Sequence, residues 1–562
     1  MKFRKSFGAK QGDMGPVLFW VLVVVLIAGR LVLAACQDVY VWIDGAPLDD
    51  ELMFRAAQSI TAGNWLGAYD YLTLSKQMFF AVWLAFLHLL GVPCLMGGQL
   101  LMCGAALAAA FALAPVLPRR WMRLAVFGLL AYSPAAAASF TLRVYRDNIF
   151  PALCLYAFAG FIGAALRCAG PVRRQLGWLA MAGLGMGLAW ITREDGMWLL
   201  PFAVVAVIAT AVAVLRLPGL ARRGGRVAVL AVPFALTAVC VNLICLLNWQ
   251  HYGLWATSDF STGAFAEAFG AMTRVTHEDW DPLVAVPADV REKLYDQVPE
   301  LAQLEYWLEE DEKFRDAWIG RPDGDYQTGG FYWALRRAAQ YEGWYETPQT
   351  AAEHWQAVAD QINELCDSGQ LPCDLPRRSS TTAPIRAEYV APVLAEGLHS
   401  FWYAATFQDC APYYADQRSL GQPEDLAVYH EYLGCTTNDA AQAGTDLPYY
   451  HPLRMLVYKA FEALRLLYAV ALPLALAAAL ARQLYLGWGM LRRRSADGLL
   501  LWLALAGVLA MALLRCFMIA FVEVSSFNIG TYVMYLSTVH PLLLLYAAGG
   551  LLTRKEAAAC RS

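Results

Sequence analysis

Outside residues 249–452 this chain holds fourteen Asp and Glu. Ten of them, Asp38, Asp44, Asp49, Asp50, Glu51, Asp70, Asp147, Glu194, Asp195 and Glu523, fall in alternate connections between apolar runs. Cations accompany them: Lys76 in the first such connection, Arg143 and Arg146 in the second, Arg193 in the third and Arg515 beside the last. A carboxylate at a membrane face can take the proton of an attacking hydroxyl. Arginine and lysine beside it can hold an ionised phosphate as the leaving group. Charges near membrane depth are costly unless they are paired or face a wet cavity, so their accumulation on one side predicts a polar site there.

The elements that must carry this site are membrane helices. With 562 residues and 59% hydrophobic residues, the chain reads as an all-α polytopic membrane protein. Apolar runs at 16–36, 94–116, 122–139, 150–166, 177–192, 197–215, 227–248, 462–481, 498–516 and 529–550 predict ten transmembrane helices. Every second connection is basic, from Lys2, Arg4, Lys5 and Lys10 through Arg119, Arg120, Arg173, Arg174, Arg222 and Arg223 to Arg492–Arg494, Arg554 and Lys555. That places both termini in the cytoplasm of a plasma (inner) membrane protein and the acidic connections outside. The register requires the run at 79–91 to be a juxtamembrane helix, since it is too short to span.

Three regions follow: an N-terminal membrane domain over 1–248 with seven spans and outer loops at 37–78, 140–149 and 192–196, an extracytoplasmic domain over 249–452, and a C-terminal segment over 453–562 with three spans. The middle region carries 33 acidic against 12 basic residues, which argues against nucleic acid as a partner. Its apolar periodicity predicts an α-rich lobe with helices at 288–296, 301–318, 331–341, 351–366 and 387–404. Cys366, Cys373, Cys410 and Cys435 lie in it, and an oxidising compartment favours two disulfides, most simply 366–373 and 410–435, among three possible pairings. Seven tryptophans, Trp280, Trp307, Trp318, Trp333, Trp344, Trp355 and Trp402, suit either sugar stacking or ordinary core packing.

The first outer loop carries a recognisable pattern: Asp50-Glu51-x-x-Phe54, then Gly63-Asn64-Trp65, Lys76, and a closing Leu90-Gly91-Val92-Pro93. It resembles the same loop of GT-C glycosyltransferases, above all protein O-mannosyltransferases and lipid A aminoarabinose transferases. One departure is Gln77, where that family usually has proline after the lysine. The resemblance implies a GT-C-like fold and transfer of a sugar from a polyprenyl-phosphate donor to an extracytoplasmic acceptor. It implies that Asp50 is the general base, with Asp49 and Glu51 as rivals, that Lys76 lies near the carrier phosphate, and that Asp147 orients the acceptor or a cationic partner. Arg146, Arg193 and Arg515 are the further expected phosphate ligands, with Arg143, Glu194, Asp195, Glu523 and Tyr532 as a secondary polar site.

Plainer readings stand beside these. Asp49, Asp50 or Glu51 can cap a helix. Asp147 with Arg146, and Arg193 with Glu194 or Asp195, can be ion pairs that only mark helix ends, and Arg515 can bind a lipid headgroup phosphate. His88 and His540 lie on apolar runs and read as packed. No phosphate-cradling glycine loop, Rossmann fingerprint or His-x-x-x-His occurs, so no cofactor is expected. A divalent cation held through oxygens of Asp50 and Asp147 stays open. The competing functions are a lipid or glycan transporter or flippase, which would place charges near the midplane of repeated halves, and a scaffold whose acidic lobe binds a cell-wall partner.

Overall fold

The computed structural model describes residues 13–41, 47–217, 223–278, 281–319, 324–411, 419–435, 452–526, 528 and 532–553. Helices of eight residues or more are α1 (Pro16–Ala35), α2 (Leu52–Thr61), α3 (Phe79–Leu90), α4 (Cys94–Ala112), α5 (Arg120–Ala131), α6 (Phe150–Ala165), α7 (Val172–Trp190), α8 (Leu200–Arg216) and α9 (Val232–Tyr252). There follow α10 (Ala264–Met272), α11 (Ala288–Gln297), α12 (Glu312–Ile319), α13 (Thr328–Tyr341), α14 (Pro348–Asp367), α15 (Val390–Ala405), α16 (Pro423–Leu433), α17 (Pro452–Arg493), α18 (Leu499–Ser525) and α19 (Val539–Leu552). The protein is an α-helical multi-pass membrane protein. Among the described residues the only β-type pairings are isolated bridges.

Among the described residues six helical stretches are long and apolar enough to cross a membrane: Pro16–Ala35, Cys94–Ala112, Glu194–Arg216, Arg223–Tyr252, Arg454–Arg493 and Leu499–Ser525. Other apolar runs are cut short for local reasons. The run at 122–139 is helical only to Ala131, because Pro134 denies the helix a donor and restricts Ser133 before it. The run at 529–550 is continuous helix only from Val539, with Pro541 in the first turn, where proline is tolerated. Helix α6 has sixteen residues, all but two of them buried, so it lies at the centre of the bundle. It meets α7 through glycine: a Cβ on Gly160 would stand 2.4 Å from the Ala182 amide nitrogen, and one on Gly185 2.7 Å from that of Ala157. Such small-residue contacts are how membrane helices approach closely.

The segment expected beside the membrane is α3, twelve residues ended by Gly91 in the left-handed conformation. Ahead of it, no carboxylate caps α2. The chain enters that helix through a π-turn over Pro47–Glu51, and Glu51, at the cap position, makes no side-chain cap bond.

Residues 249–452 contribute to two cores. One is their own, built around Phe269, Leu294, Phe331, Trp344, Trp355 and Ile362, with Tyr71 of the connection between α2 and α3 inserted into it. The other is that of the membrane bundle, which Tyr403, Phe407, Cys410, Leu426 and Tyr429 join. The expected helix at 301–318 is broken into a short turn, a π-turn at Tyr306–Glu310 and α12. Cys366 and Cys373 form a disulfide. The expected partner bond, Cys410–Cys435, is not made. Cys410 is buried with its sulfur 3.6 Å from His540 Nε2, and Cys435 is a free thiol following α16. Of the tryptophans, Trp344 and Trp355 are core residues, Trp402 is exposed, and Trp280 lies outside the described residues.

Candidate functional site

Backbone pairing between connections sets the frame. Tyr40 N–H donates to the Leu142 carbonyl (3.0 Å) and Val144 N–H to that of Tyr40 (3.1 Å), which fixes Arg143 beside the first loop. Phe79 N–H donates to the Ile191 carbonyl (3.0 Å) and Gln77 N–H to Glu194 Oε1 (2.9 Å), which joins the first loop to the third. The lobe closes over both: Asp259 N–H donates to the Leu74 carbonyl (2.9 Å), and buried Arg336 bonds Asp259 Oδ1 (2.9 Å) and the Tyr71 carbonyl.

Within this frame five cations face five carboxylates. Arg143 grips Asp50 through Nε (2.9 Å) and Nη2 (2.7 Å). Lys76 bonds Asp49, which also accepts from Tyr145 OH at 2.8 Å. Arg146 bonds both oxygens of Glu194, at 2.7 and 2.8 Å. Arg193 bonds both oxygens of Asp147, at 2.9 and 3.1 Å, and approaches Asp195 at 3.3 Å. Arg515, fully buried on α18, completes the set on Asp195.

The Tyr145 hydroxyl is the hub. It donates to Asp49 and accepts from Arg146 Nη2 (2.6 Å) and Lys76 Nζ (3.3 Å), which uses its full hydrogen-bonding capacity. Both the Arg143 and Arg146 guanidiniums lie 4.9 Å from its ring centre. Trp333 of α13 supplies a ceiling 5.4 Å from the Lys76 ammonium. Ser537 adds a bond to Asp147 (3.1 Å) beside a cavity of about 30 Å³ that Gln99, Ser133 and Asn148 also line.

The carboxylates differ in access. The Asp50 side chain is 0% exposed and Asp147 1%, whereas Asp49 is 30% exposed and Glu194 and Asp195 27% each. Burial works against the charge of Arg143, but Asp50 more than restores it and raises its pKa. Lys76 is held well below the usual lysine range by burial and by Arg146, with Arg143 and Arg193 adding to the effect and Glu194 opposing it. If the charged ammonium is what holds an anion here, donor affinity should fall as pH rises through this depressed pKa, below the range where an ordinary lysine titrates. Lys76→Arg should flatten that fall. A donor Kd measured from neutral to alkaline pH checks this, and an affinity that holds constant up to the ordinary lysine range and falls only within it would refute it.

Three of the expected acids lie apart from the cluster. Glu51 pairs with Arg55 one turn on, Asp38 pairs with Arg454 (2.8 Å), and Asp70 accepts from the backbone of Leu72 and Thr73 in its own turn. Glu523 is partly buried near the end of α18. Asp44 and the Tyr532 side chain lie outside the described residues. Among the described residues no three metal-type ligands converge. A cation between Asp50 and Asp147 would have to displace Arg143 and Arg193. Tyr145, Trp333 and Ser537 are the additions the structure makes. Tyr145 had a signal in the sequence, an aromatic set between two arginines in Arg143-Val144-Tyr145-Arg146, and Trp333 was among the tryptophans that suit either sugar stacking or core packing; Ser537 had none.

Fold and site together define a helical membrane protein with a charge-paired polar site where its connections meet. No family model and no curated protein matches the chain. Among solved structures it is similar to ArnT from Cupriavidus metallidurans in the apo state, at 12% identity over 95% of this chain and 78% of that one, with a TM-score of 0.28. It is likewise similar to the same protein bound to undecaprenyl phosphate, at 14% identity over 94% and 77%, with a TM-score of 0.29. Superpositions at that level carry no functional argument, so function is read from the site.

Proposed function

We propose that this chain is a glycosyltransferase that moves a sugar from a polyprenyl-phosphate carrier to an acceptor on the outer face of the membrane. The observation that carries the reading is the closed balance of five cations and five carboxylates, in which two buried donors, Arg146 Nε and Arg515 Nη2, have no acceptor among the described residues. Buried donors without acceptors are rare in folded proteins and suit an incoming anion. A lipid phosphodiester brings one negative charge, and its departure as a phosphate monoester leaves two. The arginines would therefore act most strongly as the carbon–oxygen bond to the sugar breaks.

Asp49 is the base in this scheme, and Asp50 holds Arg143. Asp49 is the partly exposed member of the pair, and its partner Lys76 is the cation that an arriving phosphate would compete for. As Lys76 turns to the phosphate, a carboxylate oxygen is released to accept the acceptor hydroxyl's proton. The acceptor oxygen then bonds to the anomeric carbon while the carrier oxygen leaves, a single displacement that inverts that centre. Asp147, locked by Arg193 and Ser537, orients the acceptor side. GT-C relationship, donor class and residue roles all belong to this proposal, as does the division into two membrane segments and an outer lobe.

The test is transfer by the purified full-length protein, in lipid nanodiscs, from a panel of radiolabelled polyprenyl-phosphate sugars. Release of free polyprenyl phosphate dependent on an acceptor extract supports the reading. Transbilayer movement of a labelled lipid with no release from any member of the panel would replace it with the flippase alternative.

A further inference from the structure

Helix α15 does not behave as part of a water-soluble lobe. Val390, Leu394, Leu398 and Trp402 recur four residues apart along one face and are 57%, 52%, 62% and 55% exposed. A continuous apolar stripe of this kind on a soluble surface would be a liability. The other face packs against the membrane bundle. Gly397 touches α18 so closely that a Cβ there would stand 2.2 Å from the Phe517 ring, and Tyr389, just before α15, meets Phe521 edge to face at 5.6 Å. Just past the end of α15, Phe407 lies 5.6 Å from the Tyr468 ring of α17 and 5.1 Å from the His540 ring of α19.

These contacts fix the height of α15. Gln483 of α17 and Trp502 of α18 lie on one rung, since each side chain donates to the other's carbonyl, at 3.0 and 2.8 Å. Phe517 is fifteen residues from Trp502, and Tyr468 fifteen from Gln483. At 1.5 Å per residue both contact points stand about 22 Å above the same rung. The segment from Gly397 to Phe407 therefore runs across the bundle rather than along it. Measured from Leu499, where α18 begins, Phe517 is about 27 Å along the helix, just inside the ~30 Å thickness of a hydrocarbon core. Leu466, Leu467, Val470 and Leu474 of α17, exposed at about the same height or below, continue the apolar surface. The Glu462–Arg465 ion pair lies at the water side of it.

We propose that α15 is an interfacial membrane helix, lying in the plane of the leaflet above which the polar site sits, with its Val390, Leu394, Leu398 and Trp402 face covered by lipid acyl chains. An interfacial helix buries its apolar face at the acyl boundary; the opposite face is usually charged, and here that face is covered by the bundle instead. On α15 the only charged side chains are Glu396 and His399 if protonated, and they lie 3.2 Å apart. The residues expected to form a wholly extracytoplasmic lobe would then reach into the bilayer, and Gly397 would brace α18 two residues beyond Arg515.

Photo-crosslinking tests this in the full-length protein, in nanodiscs of phosphatidylethanolamine and phosphatidylglycerol. p-Benzoylphenylalanine is placed at Leu394 or Leu398, with Leu467 as the lipid-facing reference and Tyr306 of the lobe as the water-facing one. The expected result at both α15 positions is a gain of one phospholipid mass per chain, in a yield comparable to Leu467, with no gain at Tyr306. Absence of lipid adducts at 394 and 398 while Leu467 gives them would overturn the proposal. So would crosslinking at those positions to a second copy of the chain.

Discussion

Asp49→Asn should lower turnover by about 10²–10⁴-fold, the range that general acid–base catalysis contributes, while leaving the thermal midpoint close to the parent's. The reason lies in what each neighbour would lose. Asparagine at 49 keeps an acceptor for Tyr145 OH and for Lys76, and Lys76, although only 7% exposed, is already held below the usual lysine range and can give up its proton instead of staying stranded as a charge. Asp50→Asn is expected to behave differently. Arg143 is 8% exposed, and its best partner would become a neutral amide. Removing one partner of a buried ion pair typically costs about 3–5 kcal/mol, although Asp49, 3.5 Å from Arg143 Nη2, would recover part of it. The measurements are single-turnover rates and unfolding curves on both variants, with donor binding as a control. A pair in which Asp50→Asn stays stable but loses turnover, while Asp49→Asn stays active, would return the base to Asp50.

The contrast shows where sequence reasoning stops. Acids and bases converging on one side could be read from apolar run length and charge alternation, because both follow from the cost of burying charge in lipid. The same physics predicted a run at 79–91 too short to span, and α3 has twelve residues. Which of two adjacent aspartates meets water could not be read that way. One residue's step turns a side chain by about 100° around a helix, and the outcome here depends on Arg143, ninety-three positions away. No acid caps α2 at Glu51, because the helical π-turn over Pro47–Glu51 runs straight into it and leaves no free end there. Cys410 and Cys435 fit a disulfide by compartment alone. They are separated because Cys410 follows α15 into the bundle, whereas Cys435 follows α16, whose Tyr429 stacks on Phe54 of α2 at 3.5 Å. The periodicity of 387–404 predicted a helix but gave no sign that its apolar face would point away from the lobe's core.

Asp195→Asn should be strongly destabilising, at about 3–5 kcal/mol, because it strands the buried Arg515 guanidinium. Arg515 is 0% exposed on a helix whose other residues are apolar but for Glu523 and Ser525 near its end, and its guanidinium lies 5.7 Å from the Trp198 ring and 5.9 Å from that of Phe150. Arg515→Met should cost less, since its counter-charge, Asp195, is 27% exposed and keeps Arg193 as a second partner at 3.3 Å. With asparagine at 195, by contrast, Arg515 would be left with the Tyr535 carbonyl, at 3.2 Å from Nε, and no acid. The double variant Arg515→Met/Asp195→Asn should recover most of the loss, since neither charge is then stranded. A double-mutant cycle on unfolding in lipid nanodiscs measures this coupling. If Arg515 is also a phosphate ligand, the recovered double variant should still bind the polyprenyl-phosphate donor more weakly than the parent. Parental donor affinity in a stable double variant would confine Arg515 to holding the third connection in place.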